Sequence, residues 1–355
     1  MKIIQLLPTF SYGDGVGNDV IAIDRILKEL GYTTKIYAEN IDTRIKKGLA
    51  EKIEKMPEMK QNDIIIYHLS TGTELNDKLC EFCCRKLVVY HNVTPAHFFR
   101  PYSRIAYHLC EQGREGIQKL RDTADYCWAD SEYNKQELLE HGYHCKIDVV
   151  PIVVPFDDYA KDINKSLYKK YDDDLVNIIF VGRIAPNKKL EDVIKSYYYY
   201  KKYINSKSRL FLVGSYHGNE VYYDRLCGYI EQLKLEDVYI TGHIKFDGLL
   251  TYYKLADVFL CMSEHEGFCI PLLEAMYFQI PIIAYAYTGV KETLGYAGLK
   301  FEDKDCKVAA EMIHMLVENK NLRESVIAQQ NSRLKDFSYE KIKEQIVYNL
   351  KGFIG

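Results

Sequence analysis

The sequence predicts an α/β protein built from two doubly wound parallel sheets, one in each of two domains. Three observations carry that expectation. Short apolar runs recur along the chain with helix-length segments between them, the strand–helix alternation of a parallel sheet. An extended stretch bounded by proline, Pro151-Ile152-Val153-Val154-Pro155, splits the pattern into two sets. At 355 residues the chain is long for one core and comfortable for two.

Composition narrows the function classes. The chain is 47% hydrophobic and 27% charged, with a net charge of −3. It has no basic excess, which argues against nucleic acid as the main partner. The opening Met1-Lys2-Ile3-Ile4-Gln5-Leu6-Leu7 is too short and too soon interrupted for a signal peptide. No apolar run approaches the roughly 18 residues of a membrane span. A cytoplasmic location with the ten cysteines reduced is therefore expected. Cys80, Cys83 and Cys84 would share one face of a helix. A zinc site needs a second ligand pair at defined spacing, and none is near, so buried small hydrophobes are expected there.

In chain order, Lys2 to Leu7 reads as a first buried strand. A glycine-rich loop, Pro8 to Asp19 with Gly13, Gly15 and Gly17, follows it. Val20, Ile23, Ile26, Leu27 and Leu30 then line one side of a helix that Gly31 ends. Strand, glycine loop and helix form the phosphate-cradling start of a Rossmann-like unit. The spacing is not G-x-G-x-x-G, so the NAD fingerprint is imperfect; Glu39 is the acidic residue that fingerprint would use. Further strands are expected at 33–37, 63–67, 86–90, 125–129 and 147–150, and polar loops follow several of them. His91, directly after Val88-Val89-Tyr90, could hydrogen-bond a substrate hydroxyl or satisfy its own loop. The loop His97-Phe98-Phe99-Arg100-Pro101-Tyr102 either packs back on its domain or forms an acceptor wall or a membrane-facing lip, and the acceptor wall is preferred. Asp157-Asp158 and Asp172-Asp173-Asp174 read as solvated turns, not metal ligands.

The second set begins with the strand Asn177–Val181 and the loop Gly182-Arg183-Ile184-Ala185-Pro186-Asn187-Lys188-Lys189. Arg183 offers planar bidentate contacts to phosphate and Lys188 a point charge, so together they could neutralise a diphosphate. Strands at 209–213 and 238–241 and a helix at 249–255 lead to an apolar run, 258–262. After it, Ser263-Glu264-His265-Glu266-Gly267-Phe268-Cys269-Ile270-Pro271 turns at Gly267 into a helix with Pro271 at its first position. Glu266 falls in the loop and Glu274 in the first helical turn. The N–H groups along residues 267 to 271, all but that of Pro271, make an anion site. Two carboxylates beside a phosphate site suit a nucleotide-sugar. A strand at 280–285 and a last helix from about Ser338 complete the set.

These motifs resemble the retaining glycosyltransferases of family 4, the glycosyl transferases group 1. The matching residues are Val181-Gly182-Arg183-Ile184 with Lys188, then Ser263 to Phe268, then Glu274-Ala275-Met276 and Pro281. Seven residues separate Glu266 and Glu274, the E-x7-E spacing of that family. The resemblance is strong over 177–295 and looser over 1–150, where the glycine loop and His91 match.

The resemblance implies a GT-B fold, with two Rossmann-like domains facing across a cleft. Residues 1–155 would form the acceptor-side domain, with the C-terminal helix 338–355 packing back on it, and 156–337 the nucleotide-sugar domain. It implies a metal-independent, retaining hexosyltransferase with no cofactor, using a GDP-, UDP- or dTDP-linked sugar. Arg183 and Lys188 would hold the diphosphate with Gly182 beside them. Glu266 would bind sugar hydroxyls near the N–H groups of Gly267, Phe268, Cys269 and Ile270, and Glu274 the ribose. Gly15 and Gly17 would approach the diphosphate from the other domain, and His91 would contact the transferred sugar. Cys269 stands where the family often has glycine. The acceptor would be a glycan or a lipid-linked glycan in surface polysaccharide assembly, such as lipopolysaccharide or capsule. Contact with the inner membrane face through Arg44-Ile45-Lys46-Lys47 or the 97–102 loop is compatible with this. Other GT-B reactions, such as nucleotide-sugar epimerisation, and a non-catalytic donor-binding subunit are the alternative classes.

Overall fold

A computed structural model describes residues 1–11 and 13–354; Tyr12 of the first glycine loop and Gly355 beyond the last helix lie outside the described residues. The chain forms two compact units. One comprises Met1–His97, Ile105–Pro155 and Phe337–Gly355, the other Phe98–Arg104 and Phe156–Asp336.

Each unit holds one all-parallel sheet. The first contains β1 (Ile3–Phe10), β2 (Thr34–Ile41), β3 (Ala50–Lys52), β4 (Ile64–Leu69), β5 (Arg85–Tyr90), β6 (Tyr126–Ala129) and β7 (Lys146–Val149), in the order β3-β2-β1-β4-β5-β6-β7. The second contains β8 (Val176–Val181), β9 (Ser208–Val213), β10 (Val238–Ile240), β11 (Val258–Cys261), β12 (Ile282–Tyr285) and β13 (Leu299–Phe301), in the order β10-β9-β8-β11-β12-β13. Two strands were not expected, β3 and β13. Each is only 3 residues long and sits at a sheet edge, where no apolar run is needed.

Both sheets are covered on both faces, so their central strands are mostly apolar. All six residues of β4 are buried. One face of the first sheet packs Ile3, Ile64, Leu87 and Trp128 against Ile23, Ile26 and Leu27 of the helix Gly15–Glu29, and against Ile342, Ile346 and Leu350 of the last helix, Tyr339–Ile354. The other face packs Leu6, Tyr67 and Val88 against Leu75, Ile117 and Leu138.

The order of the strands decides where a ligand can sit. The chain runs outward from β1 to β3, then returns to the other side of β1 to place β4. It does the same around β8, with β11 on the far side. Open α/β sheets bind ligands beyond the carboxyl ends of the strands at such a reversal. The loops after β1 and β4 and after β8 and β11 are therefore the sites to inspect.

One local expectation is corrected. Cys80 and Cys83 are exposed and only Cys84 is buried. The helix Leu75–Lys78 gives way to a 3₁₀ turn at Leu79–Glu81, which breaks the shared face, and Phe82 packs against the core instead. The loop directly after His91 stays with the first unit, where Val93 joins the core. Residues Phe98–Arg104 join the second, where the Phe98 ring lies 6.1 Å from that of His265 and Tyr102 lies edge-on to Tyr222 at 5.1 Å. Among the described residues no helix is long and apolar enough to cross a membrane.

Candidate active site

In the second unit the reversal lies between β8 and β11. Gly182 donates its N–H to Val213 O at 3.0 Å, which holds the ends of β8 and β9 together. Gly214 has φ +154, and a Cβ on it would stand 1.9 Å from Gly182 O. Only glycine fits there. The tight join leaves Arg183 exposed just past the strand end, with no hydrogen-bond or ion-pair partner among the described residues.

Lys188 ends the 3₁₀ turn Pro186–Lys188 and pairs with Glu266 at 2.5 Å, with the two side chains 15% and 10% exposed. The loops that carry them are stitched together. Asn187 Nδ2 donates to His265 O at 2.9 Å, and Glu264 N donates to Asn187 O at 2.9 Å. From the other side, Glu266 N donates to Thr288 Oγ1 at 3.1 Å, and its carbonyl accepts from Gly289 N at 2.9 Å. A Cβ on Gly289 would lie 2.3 Å from Gly267 O, so this approach also requires glycine. Glu266 is thus held by its backbone as well as by Lys188, the support a positioned carboxylate needs. The sequence expected Lys188 to be free for phosphate; in the structure its charge is already matched.

Cys269 caps the helix Ile270–Tyr277 at φ 75, ψ 65, and Pro271 is the second helical residue. The left-handed backbone costs a residue with a Cβ roughly 1–2 kcal/mol. The chain therefore keeps a glycine-like backbone at this turn although the side chain is cysteine.

Glu274 departs further from expectation. It lies in the second helical turn, and it is buried, 7% exposed. Its Oε1 accepts from Tyr159 OH at 2.5 Å and its Oε2 from Tyr253 OH at 2.5 Å. Burial pushes the Glu274 carboxyl above its ordinary value, and the two phenols only partly offset that. Spacing could not show this arrangement, because the partners come from a distant 3₁₀ turn and a neighbouring helix. Tyr253→Phe is expected to destabilise the protein by roughly 1–3 kcal/mol, the penalty for a buried acceptor that loses its donor. Urea unfolding of the variant checks this, and an unchanged midpoint would mean that Glu274 does not need the phenol.

In the first unit the reversal lies between β1 and β4. Asp14 caps the helix Gly15–Glu29 by accepting from Gly17 N at 2.6 Å. A Cβ on Gly17 would meet both Asp14 Oδ1 and Ser11 O at 2.7 Å, so the glycine is required by its own loop. Gly15 is the first helical residue. His91 follows β5, and its side chain is 1% exposed. Both ring nitrogens are engaged: Nδ1 lies 2.9 Å from Asp130 Oδ2 and Nε2 lies 2.9 Å from His68 Nδ1. A substrate hydroxyl can take one of these positions only by displacing its present partner. Asp19 lies beside them; its Oδ1 accepts from Val153 N at 2.9 Å. Asp19, His68 and His91 each bring one metal-ligating atom within 4.8 Å of the others. Gln5, Asp19, His68 and Asp130 carried no expected role in the sequence. Gln5 and His68 interrupt otherwise apolar strands, and that was the available signal.

The comparisons with known proteins agree with this architecture. Residues 162–333 match the family described as glycosyl transferases group 1. The capsular polysaccharide biosynthesis glycosyltransferase CapM of Staphylococcus aureus is 29% identical over 206 residues, 55% of this chain and 52% of that protein. O-antigen chain mannosyltransferase B of Escherichia coli is 26% identical over 170 residues, 48% of this chain and 44% of that one. The chain thus spans about half the length of these relatives. Anabaena HepE, solved in complex with UDP-glucose, superposes with a TM-score of 0.76 over 99% of this chain and 100% of its own, at 17% identity. The fold is GT-B.

Proposed function

We propose that this chain is a retaining, metal-independent glycosyltransferase of family 4 that moves a sugar from a nucleotide-diphosphate donor to a glycan or lipid-linked glycan in surface polysaccharide assembly. The observation that carries this reading is the group at the second-unit reversal: an exposed Arg183 without a partner among the described residues, on the same loop as the Lys188 that pairs with Glu266. Cleaving the bond between an anomeric carbon and a diphosphate leaves negative charge on the departing phosphate. A guanidinium carried just past a strand end, with no competing partner among the described residues, is available to meet it. Lys188 pairs with Glu266, and a donor that shared the ammonium would not leave the carboxylate unpaired. Glu266 is then the acceptor for sugar hydroxyls.

The acceptor oxygen would attack the anomeric carbon on the face that the diphosphate leaves, and a departing phosphate oxygen would take its proton. The O–C bond forms as the C–O bond to phosphate breaks, so configuration is retained without a carboxylate nucleophile. Trapping a covalent glycosyl-enzyme would overturn this order of events. The names of the two relatives favour a polysaccharide acceptor and, in one of them, mannosyl transfer.

The direct test is a thermal-shift screen with UDP-, GDP- and dTDP-sugars and the free nucleotides. A donor at 100 times its dissociation constant should stabilise the protein by about 2.7 kcal/mol. The expected result is a shift for one nucleotide class that Glu266→Gln weakens for the sugar-bearing form only. A flat response to every compound would remove the donor pocket from this reading.

A further inference from the structure

The protons of the buried chain Gln5–His68–His91–Asp130 can be counted. Gln5 is fully buried in β1, and its Nε2 donates to Val20 O at 2.9 Å. That fixes the amide, so Oε1 faces His68 Nε2 at 3.0 Å. An amide oxygen only accepts, so His68 Nε2 carries a proton. Burial holds the His68 ring well below its ordinary pKa, which keeps it neutral. A neutral ring with a proton on Nε2 has a bare Nδ1, and the only atom it faces is His91 Nε2 at 2.9 Å. His91 Nε2 therefore carries a proton too. His91 Nδ1 and Asp130 Oδ2, 2.9 Å apart, share a further one.

We infer that Gln5 and His68 are positioning residues that fix His91 as a hydrogen-bond donor, which leaves it unfit to act as a base or a metal ligand through Nε2. The metal-like spacing of Asp19, His68 and His91 is, on this count, a proton chain. Every charged group around the ring favours the same state. Asp14 and Asp19 face it from the first helix and its cap, and Asp130 from the end of β6. Burial alone would lower the His91 pKa, and these carboxylates hold it above its ordinary value. With its Nε2–H aimed by His68, His91 can pass a hydrogen bond to a sugar hydroxyl that displaces His68. That last role rests on the glycosyltransferase reading; the proton count does not.

The test has two arms. Full-length protein labelled with ¹⁵N-histidine, observed near neutral pH, should show His68 protonated at Nε2 and bare at Nδ1, with His91 protonated at Nε2. A bare His91 Nε2, or a proton on His68 Nδ1, would overturn the inference. So would addition of Zn²⁺ alone that moves both rings together. In the second arm, His68→Asn keeps an acceptor near the place of Nδ1 and His68→Phe removes it. Turnover should fall roughly 10²-fold in the phenylalanine variant, the scale of a misplaced reacting group. Most of it should return in the asparagine variant, with the donor KM unchanged in both. No return in a folded asparagine variant would contradict the positioning role. If no donor is turned over at all, the proposed function fails while the NMR arm still decides the proton count.

Discussion

Arg183→Ala will lower sugar transfer by about 10²–10³-fold, the cost of removing one preorganised group from a developing anion. Its stability should stay within about 0.5 kcal/mol of the parent, as for a surface substitution that breaks no contact. Few site residues allow so clean a separation. Arg183 is exposed and makes no ion pair among the described residues, so nothing in the resting fold depends on its charge. Lys188→Ala should behave differently. It strands the Glu266 carboxylate, whose side chain is only 10% exposed, and so loses stability together with activity. Arg183→Lys should recover part of the loss, because an ammonium supplies charge without the planar two-point contact. Initial rates with a fixed acceptor, read beside thermal melting, check all three. Arg183→Ala with parental turnover would show that the leaving group is held elsewhere.

Asp19→Asn will make the protein more stable at neutral pH, and the gain will vanish in acid. Burial pushes the Asp19 carboxyl up to about 7 from an ordinary 3.8, against the opposing pull of His91. Between those values the folded state holds a proton that the unfolded state has already lost. Stability then falls as pH rises, by about 1.4 kcal/mol for each pH unit in the window. Above pH 7 the full cost of the buried charge is present, about 4 kcal/mol. Below about pH 3.8 both states are protonated and the cost is absent. Asparagine keeps an oxygen for Val153 N and carries no charge, so the gain should grow from near zero at pH 4 to its maximum above pH 7. Urea titrations at several pH values measure this directly. An asparagine variant less stable than the parent at pH 8 would mean that Asp19 works as a needed counter-charge to His91. Such a stability cost at a buried acid beside the first glycine loop is what a functional residue would impose.

The fold was largely legible because a parallel sheet covered on both faces demands apolar strands, and β1, β4, β5, β8 and β11 are apolar runs. The loops that hold Arg183, Lys188 and Glu266 were legible for the same reason, since each follows a run directly. What could not be read was which polar atom each side chain would choose. Lys188 could have met phosphate or carboxylate, and only the stitched loops bring it to Glu266. Glu274 sits at the spacing expected of a ribose ligand, yet two phenols from other elements close around it. Residues 97–102 were read with the strand they follow, whereas Phe98 and Tyr102 find their ring partners in the second unit. Periodicity reports burial along one element. Partner choice is decided between elements that are far apart in sequence.

The helix Tyr339–Ile354 has a consequence for how the chain is made. Ile342, Ile346 and Leu350 cover part of the sheet face that carries Ile3, Ile64 and Trp128, so this unit is completed by residues synthesised after the other unit. Nearly all of the other unit is one uninterrupted stretch, Phe156–Asp336, and can fold as it emerges from the ribosome. The first sheet must wait, with the part of one apolar face that the helix Gly15–Glu29 does not cover left open, through the translation of everything between. Its closing contacts span most of the sequence, which makes them slow to form and exposes the waiting face to aggregation. Expression at low temperature or with chaperones in excess would favour the native product, and a chain that stops short of Tyr339 would leave part of that face permanently bare.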